Sequence, residues 1–259
     1  MHFDVLEGPV GAETVLLSAG LGGAAGYWAP QFEGLRKKYR VITYDQAGTG
    51  RNPAVLPAGY GIENMADDVV GILDEVGLKA CHFVGHALGG LVGLDLALRA
   101  PGRLRSLSVV NGWARVDAHT KRCFAARLAL LEHGGAAAYV QAQPIFLYPA
   151  SWLADNEARV EAEDRHGVAA FQGEENLQRR IAALLAFDVT ARLGEVTVPV
   201  LVMAARDDVL VACRQSERLA AAIPGAVLDM AAWGGHAVNV TDAETFNAVM
   251  LGFLGRIGR

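Results

Sequence analysis

Ten residues, Cys81-His82-Phe83-Val84-Gly85-His86-Ala87-Leu88-Gly89-Gly90, carry an apolar strand straight into a helix through a corner flanked by Gly85 and Gly89. A corner that sharp needs small neighbours, because an added Cβ meets the adjoining backbone. In the pattern Gly-x-Ser-x-Gly such a corner presents a serine hydroxyl as a nucleophile. Here the central residue is Ala87, so the hydroxyl is missing. Further along, Asp207-Asp208 follows an apolar run, and Gly234-Gly235-His236 precedes the final helical segment. An imidazole oriented by a carboxylate is a general base. Taken singly, each feature has an ordinary explanation: a chance pair of glycines, a turn or cap, a loop histidine. Their order along the chain, each at the end of a strand, is what suggests one site.

The elements that must position these residues alternate. Short β-branched or apolar runs at 14–18 (TVLLS), 39–44 (YRVITY), 82–84, 104–111 (LRSLSVVN), 198–204 (VPVLVMA) and 226–230 predict strands. Between them, 65–76 places Met65, Val69, Ile72, Leu73 and Val76 on one helical face, 88–99 reads as a buried helix, and 245–254 as a closing one. Strands alternating with helices of this length imply a mainly parallel sheet covered on both faces. From about Trp113 to Phe187 the pattern becomes helical (125–132, 156–165, 174–186). This predicts a helical cap at 113–195 inserted in a core of 1–112 and 196–259, with Gly112 and 194–199 as hinges. Ligands bind at the carboxyl ends of strands in such sheets.

The 259 residues carry 23 Lys+Arg against 28 Asp+Glu, a formal charge of -5, which argues against nucleic acid or an anionic membrane as a partner. No apolar stretch reaches spanning length. The start lacks a signal-peptide pattern. Three scattered cysteines suggest neither a disulfide frame nor a zinc site. A cytoplasmic protein with reduced thiols, no metal and no cofactor is therefore expected, its partner a small-molecule substrate. Oligomeric state is left open, a homodimer being admissible.

The strand–corner–helix, the later aspartate and the final histidine, in that order, resemble the α/β-hydrolase fold. That resemblance implies that the backbone amides of Leu21, in Ser18-Ala19-Gly20-Leu21-Gly22-Gly23, and of Leu88 converge on a developing oxyanion. It implies that His236 is the base. It favours Asp208 as the acid, since Val209-Leu210-Val211 follows it as D-x-L-V, with Asp207 as the second choice. A narrower resemblance covers essentially the whole chain. Segments 18–31 (SAGLGGAAGYWAPQ), 44–53 (YDQAGTGRNP), 85–93, 111–124 (NGWARVDAHTKRCF), 141–152 (QAQPIFLYPASW), 171–180 (FQGEENLQRR) and 234–248 (GGHAVNVTDAETFNA) are similar to the pyrimidine-utilisation D family, α/β-hydrolases of bacterial uracil degradation by the Rut pathway. The cap segments are the most specific, because caps vary most between hydrolase families. The resemblance implies alanine as the ordinary residue at the corner. It also implies hydrolysis of a small C–N compound, aminoacrylate or carbamate.

Losing a nucleophilic serine costs about 10⁶ in rate, while oxyanion donors and binding retain roughly 10³–10⁴ over water. That residue is too little for an unactivated amide and enough for a compound that already decomposes in water. The expected mechanism has water in the room left by the Ala87 methyl, with His236 as general base, or else His236 protonating the enamine carbon before water adds. Two rivals are a binding protein on a hydrolase scaffold and a weak carboxylesterase.

Other residues enter as candidates. Arg115, His119, Lys121 and Arg122 against Asp117 could attract an anion or be an ordinary solvated face. Trp28, Trp113, Phe146, Tyr148 and Phe171 could wall a pocket, about two of the five doing so. Asn239 either contacts substrate or caps the final helix. Cys81 reads as an inert buried thiol, Cys123 as a remote substitute nucleophile, and His86 as structural. Substrate-pocket candidates are thus Trp113, Arg115, Tyr148 and Asn239.

Overall fold

The computed structural model describes residues 1–257. Seven strands form one sheet: β1 (Phe3–Leu6), β2 (Thr14–Ser18), β3 (Arg40–Tyr44), β4 (Cys81–His86), β5 (Leu104–Val110), β6 (Val200–Ala205) and β7 (Val227–Ala231), in the spatial order β1-β3-β2-β4-β5-β6-β7. Only β1 runs antiparallel to its neighbour, β3; the other pairs are parallel.

Side chains alternate across the strands, and both faces are covered. Leu16, Phe83, Leu107 and Val202 enter the core beneath helices α2 (Ile62–Glu75), α3 (Leu88–Arg99) and α8 (Arg214–Ala222). Their neighbours Leu17, Val84, Val110 and Leu201 enter the opposite core, beneath α1 (Ala29–Arg36) and α10 (Ala243–Leu254). The near-continuous apolar runs of β2 and β6 follow from this double burial.

Between β5 and β6 lie α4 (Ala118–Leu147), broken at Gly135, then α5 (Ala150–Asp155), α6 (Glu157–Ala169) and α7 (Glu174–Ala186). The helical periodicity expected at 125–132, 156–165 and 174–186 falls on α4, α6 and α7. A short helix α9 (Val238–Thr241) leads into α10. The strand β1 was not anticipated: four half-buried edge residues give too little alternation to read.

Candidate active site

A single residue, Ala87, separates β4 from α3 and makes the turn at φ 46°, ψ −110°. That is strained for a residue with a Cβ, a cost of about 1–3 kcal/mol. Ala87 is held there by its amide donating to the Val110 carbonyl (2.8 Å). The flanking glycines are sterically required. A Cβ on Gly85 would sit 2.2 Å from the Gly89 carbonyl oxygen, and one on Gly89 would sit 2.3 Å from that of Ser18. Leu88 opens α3, so its amide has no acceptor within the helix. The loop after β2 is fixed from behind: the Leu21 carbonyl accepts from Arg180 Nη2 (3.1 Å) and Gln172 Nε2 (3.3 Å) of the helical insertion.

Asp208 and Asp207 have different tasks. His236 Nδ1 lies 2.7 Å from Asp208 Oδ2, and both side chains are buried. The other Asp208 oxygen accepts the amides of Leu210 and Val211, each at 2.8 Å, which fixes the carboxylate. Asp207 instead accepts the amides of Gly234 (3.3 Å) and Gly235 (2.9 Å). Those glycines have φ 135° and 66°, a conformation closed to other residues without strain. The histidine loop is thus tied from below by Asp207. From above, the Ala237 amide donates to the Leu147 carbonyl of α4 (2.9 Å). With Nδ1 donating to Asp208, His236 Nε2 is left as an acceptor with no protein partner among the described residues.

The His236 carbonyl receives two donors, Asn111 Nδ2 (2.7 Å) and His86 Nε2 (2.8 Å). Burial, with His236 beside it, pushes the His86 pKa well below the ordinary imidazole value, so His86 is neutral. Its ring packs edge-on to His236 (centroids 4.6 Å) and against Tyr27 (4.9 Å). It supports His236 through that carbonyl, and its own Nδ1 is buried without a hydrogen-bond partner among the described residues while the residue lines the cavity that holds Ala87.

Ala87, Leu21, Leu88 and His236 line one cavity of about 1200 Å³, walled also by Trp113, Tyr148 and Phe171. Three of the five aromatics considered reach it. Trp28 is buried in the opposite core, and Phe146 stacks beside Arg127. Arg115 is a correction: a backbone bridge to Asp188 leaves its side chain outside the cavity, mostly exposed and 3.9 Å from the Asp188 carboxylate. Asn239 is likewise absent from the lining. It is fully buried, its side-chain oxygen accepting the Tyr27 hydroxyl (2.7 Å) and its carbonyl accepting Gln31 Nε2 (2.7 Å). Cys123 and His119 approach the Val209 carbonyl rather than the elbow, and burial raises the Cys123 pKa. Asn111, Arg127, Tyr27 and Arg180 were not singled out. For Asn111 the available signal was Asn-Gly at a strand's carboxyl end, where Asn tolerates positive φ (49° here). Among the described residues no cluster of three or more His, Cys, Asp or Glu is placed to hold a metal, and no helix is long and apolar enough to cross a membrane.

A mostly parallel sheet with a tight corner after β4, an acid after β6 and a histidine after β7 defines an α/β-hydrolase. The family model described as alpha/beta hydrolase fold matches residues 13–134. The chain is 54% identical over 258 residues to "Putative carbamate hydrolase RutD" of Variovorax paradoxus (99% of this chain, 97% of that protein). It is 50% identical to the protein of the same name from Agrobacterium fabrum (98% of each). Among solved structures, the enol-lactonase of Burkholderia xenovorans superposes with a TM-score of 0.89 at 27% identity, covering 98% of this chain and 96% of that one. The chain belongs to the RutD family of α/β-hydrolases.

Proposed function

We propose that this hydrolase cleaves a small, labile C–N compound, aminoacrylate or carbamate, in cytoplasmic uracil breakdown, by water attack assisted by His236 and Asp208 and without a covalent intermediate. The observation that carries this reading is a buried His236–Asp208 pair at 2.7 Å whose histidine lines the same cavity as a strained elbow residue, Ala87, that has no side-chain oxygen. The elbow's cost in strain makes sense where the geometry beside it is used, and a pure binder has little need of an oriented base. The relatives' name supports the carbamate; the aminoacrylate rests on the family resemblance.

In the direct route, His236 Nε2 takes a proton from water as the water oxygen bonds to the substrate carbon, then gives it to the nitrogen as the C–N bond breaks and ammonia departs. The Leu21 and Leu88 amides hold the charge that develops on oxygen. In the enamine route, protonated His236 first delivers its proton to the carbon α to the carboxylate. Water then adds to the carbon bearing nitrogen, ammonia leaves, and an aldehyde forms. Residues 113–195 act as a cap that limits bulk water over the site. One observation favours a second reading: the fold superposes on an enol-lactonase with a TM-score of 0.89, which suits a weak carboxylesterase. Ammonia release from freshly generated aminoacrylate and from carbamate, with and without protein, separates these. Acceleration of either supports the proposal. No acceleration of either, together with ester hydrolysis, rejects it.

A further inference from the structure

The helical insertion contributes two buried arginines, and they are spent differently. Arg180 donates to the carbonyls of Leu21 and Ala47 and to Gln46 Oε1, with its Nε unpartnered, but it does not line the cavity and ties the insertion to the core instead. Arg127, on α4, is 2% exposed and does line it. Its guanidinium lies 5.2, 5.0 and 5.7 Å from the ring centres of Phe124, Tyr139 and Phe146. Nη2 donates to the Tyr139 hydroxyl (2.6 Å) and to Gln143 Oε1 (3.0 Å), both neutral, while Nε is buried without a partner. No Asp or Glu among the described residues pairs with it, and burial draws its pKa down.

A buried cation without a counter-ion is costly, and stacking on aromatic rings offsets only part of that cost. The same guanidinium becomes favourable once a carboxylate arrives, since arginine and carboxylate pair through charge-assisted hydrogen bonds. Tyr139 and Gln143 prepare the place. Each accepts from Arg127, which leaves the tyrosine O–H and the glutamine amide N–H free to donate to the same anion. Both line the cavity. We propose that Arg127, with Tyr139 and Gln143, is the binding site for the carboxylate of a short monocarboxylate substrate such as aminoacrylate, whose reacting carbon lies outside the carboxylate and toward Ala87 and His236. This rests on the proposed function only for which end reacts.

Propionate and propionamide share a shape and differ in charge, so their binding to the whole protein, followed by calorimetry, tests the site. Wild type should bind propionate at least about tenfold more tightly than propionamide. Arg127→Gln should reduce that preference to near unity, and Arg127→Lys should keep part of it. In the ammonia assay Arg127→Gln should raise KM about tenfold or more, with kcat changed less. Equal binding of the two ligands by wild type, no detectable propionate binding, or an undiminished preference in Arg127→Gln overturns the assignment. The wild-type comparison stands even if the variant fails to fold. A preference lost in Arg127→Gln, without accelerated ammonia release by wild type, upholds the carboxylate site and removes the hydrolytic reading instead.

Discussion

At the scale of single residues, the corner carries Ala87 where the pattern Gly-x-Ser-x-Gly has a serine. Ala87 holds the backbone angles of a nucleophile's corner, and Asp208 fixes an imidazole whose Nε2 is unoccupied by protein. Restoring the hydroxyl is therefore informative. Ala87→Ser should create a serine that a fluorophosphonate labels covalently, detected as a mass shift, whereas wild type should stay unlabelled. An unlabelled Ala87→Ser protein that is folded would mean that His236 cannot reach the corner. His236 and Asp208 were legible in the sequence because each stands at a recognisable strand end. Arg127 was not, because an arginine within an amphipathic helix reads as a solvated charge. Only the fold turns that helix face inward. Arg115, one of four basic candidates near the start of the insertion, was misplaced for the converse reason: charge sign along a chain does not say which side of a loop faces the cavity.

At the scale of elements, β4 and α3 meet with no spare volume. Gly89 lies where the Ser18 carbonyl of the neighbouring strand passes, so the loop after β2 and the corner after β4 are locked together by contact. Gly89→Ala should destabilise the fold by about 2–4 kcal/mol, since backbone must move to admit the methyl, as read from the urea midpoint. A change below half a kilocalorie would show that the junction relaxes freely. The alternation of strand and helix was readable because β2 and β6 are near-continuous apolar runs and β4 and β5 keep apolar residues on at least one face. The edge strand β1, half exposed, left no such trace. The insertion was readable as helical, but the ties of the Leu147 carbonyl to Ala237 and of Arg180 to Leu21 join residues far apart in sequence and belong to tertiary structure alone.

At the scale of the whole molecule, the strand ends, the insertion and a neutral buried histidine stabilise one another, and this gives stability a pH dependence. His86 is lowered in the folded state, chiefly by burial, relative to about 6.5 unfolded. Above that value both states are neutral and the full stability is present. Below it the unfolded chain takes up a proton that the folded one refuses, so stability falls by up to about 1.4 kcal/mol per pH unit. His82, lowered by burial, acts in the same direction, and Glu13, lowered chiefly by its hydrogen bond with His82, loses its contribution at still lower pH. The thermal midpoint should therefore drop between pH 7.5 and 5.5, and His86→Gln should shrink the drop; an equal drop in both proteins would place its source elsewhere. The central claim concerns the chemistry: His236 drives attack by solvent where no side-chain nucleophile exists. Rates of ammonia release from freshly generated aminoacrylate and carbamate, measured side by side for wild type and His236→Ala, test it most directly. Acceleration by wild type that falls to the spontaneous rate in His236→Ala is the predicted result, and acceleration that survives the substitution would contradict it.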